Sequence, residues 1–129
     1  MNENLIQAVK DGLNCDDEEE LMDTLQDICS YGASSGFGSF IYYSDTCKFF
    51  MDNKREIIEL AQEMAESMGE DIISMIAGFV CLRAYCQDRE GKDEIGRAIY
   101  GTPEEDDTQV INALTWFALE EVARFVTDN

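Results

Sequence analysis

Six carboxylates recur along the middle of this chain at the interval of one helix face. Asp52, Glu56, Glu59, Glu63, Glu66 and Glu70 are separated by 4, 3, 4, 3 and 4 residues. Side chains so spaced point the same way from an α-helix. The segment is therefore expected to be a long helix with a solvated acidic face. Like charges at these spacings weaken an isolated helix, so either the rest of the fold tolerates the repulsion or a partner exploits it.

The chain is long enough, at 129 residues, to be expected as one domain over residues 1–129 with a real core. Its formal net charge is -19, from 28 acidic and 9 basic residues. Apolar residues nevertheless make up 45% of the chain, and their periodic placement argues against disorder. The apolar runs are all shorter than the roughly 20 residues needed to span a membrane. The start of the chain lacks a basic-then-apolar leader pattern, and the cysteine count of five is odd. Reduced thiols in a cytoplasmic protein are expected.

Residues 2–13 place Leu5, Ile6, Val9 and Leu13 on one helical face, with Gly12 and Asn14 to end it. Asp16 or Asp17 is the expected cap of a second helix, with Glu19 and Glu20 in its first turn and Leu21, Met22, Leu25, Ile28 and Cys29 as its buried face. Residues 31–40 are rich in glycine and serine and read as a loop or a short broken helix. Ser44 is the expected N-cap of the long helix over residues 45–68, with Gly69 as its stop. Phe50, Ile57, Leu60, Ala61, Met64 and Met68 form its apolar stripe, opposite the acids. Residues 71–86 are apolar nearly all round and are expected to be central and buried.

Residues 87–92 read as a polar turn and residues 93–100 as a short helix. Thr102, Pro103 and Glu105 then form a capping box for a final helix whose apolar stretch runs from residue 110 to 126 and includes Trp116. With no credible sheet, the expected fold is all-α: five to seven helices around a buried C-terminal helix.

The charge is uneven. Residues 1–35 carry nine acids against one base, and residues 102–129 carry seven against one. In the long helix, Lys48 precedes Asp52 by four and Arg55 precedes Glu59 by four, so two of the six acids have cations one turn away. The balance argues against direct binding to nucleic acid or to an anionic membrane, because both demand basic patches.

The chain has no histidine. That removes Ser-His-Asp and Cys-His catalysis and His-ligated zinc. The cysteines form no C-x-x-C pair, and Cys81 and Cys86 are spaced wrongly for zinc or thiol redox work. Gly36-Phe37-Gly38 lacks the later glycine and the preceding strand of a phosphate loop. Asp88-Arg89-Glu90-Gly91 has its glycine too early for a calcium loop.

Carboxylate chemistry remains. Glu56-x-x-Glu59 and Glu63-x-x-Glu66 resemble the magnesium-binding pairs of all-α nucleotide pyrophosphohydrolases. Those enzymes need a second acidic pair on the next helix, and residues 72–84 contain no acid. This enzyme is the alternative to a non-enzymatic reading with no cofactor.

The favoured reading is a protein-interaction protein whose partner-binding residues are Asp52, Glu56, Glu59, Glu63, Glu66 and Glu70. Its partner would be a basic protein surface. A rigid array of carboxylates can block the basic groove of a nucleic-acid-binding protein, as an anti-restriction or anti-CRISPR factor would. At about 1.5 Å rise per residue the array carries one charge per roughly 5 Å, against one per roughly 1.7 Å for duplex DNA. Mimicry therefore requires the acidic stretches at residues 16–20 and 104–107 to lie alongside. The third possibility is an adaptor without mimicry. The oligomeric state is open, with a dimer among the options.

The stretch from Ser35 through Gly36-Phe37-Gly38 and Tyr42-Tyr43-Ser44-Asp45-Thr46, followed by Phe49, Glu56-Ile57, Trp116 and Glu120-Glu121-Val122-Ala123, resembles a family of small acidic phage and prophage proteins of unknown function. The resemblance covers about two-thirds of the chain and implies a phage or mobile-element origin inside a cell. It supplies no catalytic residues. Gly32, Tyr43, Ser44, Asp45 and Thr46 become site candidates only as a cluster. Each also has a plain structural role: a tight turn for Gly32, a helix cap for Ser44, a first-turn acid for Asp45.

Overall fold

The computed structural model describes residues 2–32, 43–79, 89–101 and 108–128. These residues form six helices and no strand, in agreement with the all-α expectation. Helix α1, Glu3–Gly12, starts at an Asn2 cap whose Oδ1 accepts from the N–H groups of Asn4 at 2.8 Å and Leu5 at 3.2 Å. It ends where Asn14 takes a left-handed conformation at φ 54°. Leu5, Val9 and Leu13 are buried and Ile6 is partly so.

Helix α2, Glu18–Tyr31, settles its cap on Asp17, whose Oδ1 accepts from Glu20 N–H at 2.8 Å. Glu20 reaches back and accepts from Asp16 N–H at 2.8 Å, a reciprocal arrangement that satisfies two orphan donors. Leu21, Leu25 and Ile28 are buried, but Cys29 is exposed rather than in the core. Cys29 lies beyond the edge of the i, i+4, i+7 stripe, with its Sγ 3.4 Å from Thr127 Oγ1. Gly32 closes the helix at φ 93°, a conformation that only glycine adopts without strain. The tight turn expected there is present.

Helix α3, Tyr43–Met68, differs from expectation in three ways. It is already under way at Tyr43, so Ser44 lies inside the helix and is not its cap. It kinks at Asn53, where φ -121° and ψ 17° leave the helical region. The Asn53 Nδ2 donates to the Phe49 carbonyl at 2.9 Å, a local side-chain bond that competes with the helical ladder. Finally, Met68 is 57% exposed, while Phe49 and Ala65 join Phe50, Ile57, Leu60 and Ala61 in the core. The kink rotates the two halves, and the stripe drawn for one straight helix drifts off the core by its last turn.

Helix α4, Ile72–Phe79, is capped by Asp71, whose Oδ1 accepts from Ser74 N–H at 3.0 Å. That bond, together with one to the Ser74 side chain, holds the Asp71 carboxyl below the usual carboxylate range. Ile72, Met75, Ile76 and Ala77 are buried; the extension to residue 86 lies outside the described residues. Helix α5, Arg89–Tyr100, is longer than the expected 93–100 and takes up part of the supposed polar turn. Ile95, Ala98 and Ile99 face inward.

Helix α6, Thr108–Asp128, is the axis of the fold. It packs against each of the other helices, and Val110, Ile111, Leu114, Phe117, Leu119 and Val122 are all buried. The buried C-terminal helix was expected; the central position assigned to residues 71–86 belongs to α6. The capping box at Thr102, Pro103 and Glu105 lies outside the described residues. Thr115, fully buried in the middle of α6, has a hydroxyl with no hydrogen-bond partner. One hydrophobic cluster joins all six helices.

A candidate interaction face on helix α3

The six acids expected on one face divide into three groups. Glu56, Glu59, Glu63 and Glu66 follow the kink and share one regular helical stretch. Asp52 precedes the kink, on the other half of α3. Glu70 is not on the helix at all. Gly69 at φ 71° reverses the chain, and the N–H groups of Gly69 and Glu70 close back on the carbonyls of Glu66 at 3.2 Å and Ala65 at 2.9 Å. This double closure is the Schellman ending. It places Glu70 one residue past the turn. The helical ladder therefore has four rungs where six were expected, and the reason is a kink at one end and a left-handed glycine at the other.

Both sequence-expected ion pairs form. Lys48 Nζ lies 2.8 Å from Asp52 Oδ2, and Arg55 Nε lies 3.2 Å from Glu59 Oε1. All four side chains are largely in solvent, so each pair contributes little to stability. The hydrogen bond from Asp52 raises the Lys48 pKa above its ordinary value. Lys54 turns the other way and donates to the Gly101 carbonyl at the end of α5. Glu56, Glu63 and Glu66 have no cation partner among the described residues.

The start of α1 lies beside this ladder. A hollow of about 230 Å³ is lined by Asn2 and Leu5 of α1 and by Glu56, Glu59, Leu60 and Glu63 of α3. The partial positive charge at the first turn of α1 thus faces three carboxylates, which offsets part of their mutual repulsion. Sequence reasoning missed Asn2, Leu5 and Leu60 here. The Asn2 cap was legible, but the contact between α1 and α3 is tertiary.

On the other flank of α3, a shallow hollow of about 580 Å³ runs along Met51, Asp52, Lys54, Arg55, Glu56, Ile58 and Glu59. Met51 is 45% exposed. Glu56 and Glu59 border both hollows, so the ladder is a ridge with an apolar floor on either side: Leu5 and Leu60 on one, Met51 and Ile58 on the other.

The acidic start of α2 does not lie along the ladder. It sits at the far end of α1, where Gln7, Lys10, Asp11, Cys15, Asp17, Glu18 and Leu21 line a third hollow. The ten residues of α1 put about 15 Å between the two acidic groups. The acids at residues 104–107 lie outside the described residues.

Among the described residues, no group of three or more Cys, Asp or Glu side chains is arranged to hold a metal ion, and α4 carries no acid. Cys15, Cys29 and Cys47 are unbridged. Among the described residues, no helix is long and apolar enough to cross a membrane. Of the cluster suggested by resemblance, Gly32 makes its turn and Tyr43, Ser44, Asp45 and Thr46 are in α3; residues 35–42 lie outside the described residues.

Comparison with curated proteins and with solved structures gives no match. A family model does match, over residues 2–129, and its description is a domain of unknown function (DUF7222). The chain, with its four-runged acidic ridge, belongs to that family.

Proposed function

We propose that the chain is an acidic interaction protein of phage or mobile-element type that binds a basic protein surface through the ridge of Glu56, Glu59, Glu63 and Glu66. The partner is a nucleic-acid-binding defence factor, and binding competes with its nucleic acid. The observation that carries this reading is the ridge itself: four solvent-facing carboxylates on one regular helix, only one of which has an ion-pair partner among the described residues. The formal charge of -19 adds a long-range field that steers a basic partner toward it. The second acidic group, at the start of α2 about 15 Å away, gives a wide basic groove two places to engage.

The test is retention. The immobilised chain is exposed to host lysate and washed with rising salt. A basic protein that elutes at moderate salt, and that added duplex DNA or RNA displaces, is the expected result. A retained protein that nucleic acid fails to displace contradicts mimicry, and an empty column contradicts interaction through the ridge.

A further inference from the structure

We infer that the hollow along Met51 and Ile58 is the docking site for a cationic amphipathic helix of a partner protein. The inference rests on the proposed interaction reading and names the chemistry of the segment that the ridge receives. The hollow is mostly apolar in its walls and is built by α3 alone, across its kink. Met51 offers an unbranched, adaptable side chain to solvent at 45% exposure, a residue well suited to receiving another protein's apolar side chain.

Charge decides the occupant. Asp52 and Glu59 already hold Lys48 and Arg55, and Lys54 is committed to the Gly101 carbonyl. Glu56, on the rim, and Glu63, one turn further, have no cation among the described residues. The face therefore calls for a few cations next to an apolar anchor. Nucleic acid brings the wrong sign, and a second copy of this chain would bring its own net charge of -19.

Spacing decides the conformation. Met51 and Ile58 are seven residues apart, two helical turns or about 10.5 Å. Apolar side chains at i and i+7 of a partner helix have the same separation, with basic residues one turn off reaching Glu56 and Glu63.

The experiment uses the full chain labelled at its methionine methyl groups and observed by NMR, with the Met51 signal assigned from Met51→Leu. Three synthetic peptides of equal charge are the probes: a Lys/Leu amphipathic helix, the same peptide with Ser for Leu, and the Lys/Leu peptide with a central proline. The first is expected to shift the Met51 methyl signal and to bind about tenfold tighter than the Ser peptide, the gain from covering one Met side chain. Met51→Ser, which folds normally because the residue is exposed, is expected to lose that advantage.

An unmoved Met51 signal, or equal affinity for the Leu and Ser peptides, overturns the inference. The proline peptide binding as tightly as the helix overturns the assignment of a helical partner. A Met51 shift that depends on protein concentration without peptide overturns it in favour of self-association. Binding of the Ser peptide that is lost in the Glu59→Lys, Glu63→Lys, Glu66→Lys variant leaves the acidic reading standing while the docking inference fails; no binding of any peptide sinks both.

Discussion

The N–H of Glu70 donates to the carbonyl of Ala65 at 2.9 Å, and this bond ends the acidic ladder. It exists because Gly69 occupies the left-handed region. Replacing Gly69 by Ala puts a Cβ into that conformation and is expected to cost about 1–2 kcal/mol. No heavy atom lies within 4 Å of the added carbon, so the cost is conformational. Urea unfolding of Gly69→Ala with an unchanged midpoint would contradict this account of the helix end.

Thr115 presents the opposite case. Its hydroxyl is buried and without a hydrogen-bond partner. Thr115→Val keeps the shape and removes the orphaned polar atom, and is expected to stabilise the protein by about 1 kcal/mol. A lower melting temperature for this variant would show that the hydroxyl has a role that the packing does not reveal.

The Asp71 cap makes stability depend on pH. Its carboxyl titrates below the model value of 3.8 because Ser74 hydrogen-bonds the charged form. A folded pKa below the unfolded one contributes stability that is complete above the unfolded value and is lost as pH falls through the folded value. The stability difference between wild type and Asp71→Ala is therefore expected to be largest at neutral pH and to shrink as pH falls below 3.8. A difference that is constant across that range would contradict the charged-cap account.

Salt should stabilise the fold. With net charge -19 and exposed ion pairs of little worth, screening removes more repulsion than attraction. The thermal midpoint is expected to rise from low salt to about 0.5 M NaCl, where the screening length is only a few ångströms. A falling midpoint would mean that the ion pairs outweigh the ridge repulsion.

Much of this fold was legible because burial follows period. Leu5, Val9 and Leu13, and Leu21, Leu25 and Ile28, lie in the core at the helical intervals read from the sequence. Helix ends were legible where the side chain itself makes the bond, as at Asp17. The failures share one cause, a straight helix assumed where the backbone departs from one. Asn53 bends α3 by bonding its own helix, and that bend moved Met68 out of the core. Its signal, a short amide side chain in mid-helix, was present. Glu70 was counted as a rung although Gly69 had been recognised as the stop. The candidate face was legible as charge, while its apolar floors were not, since Leu5 meets the ladder only through tertiary packing.

The central claim is that the ridge carboxylates bind a basic, nucleic-acid-binding protein. Its most direct measurement is the affinity of the purified retained partner for wild type and for the Glu59→Lys, Glu63→Lys, Glu66→Lys variant, each with and without competing duplex. The three residues are exposed, so the variant should keep its helical circular-dichroism spectrum. Loss of at least about 100-fold in affinity is expected from three reversed contacts at about 1 kcal/mol or more each, together with displacement of the wild type by duplex. Equal affinity of a folded variant would contradict the claim.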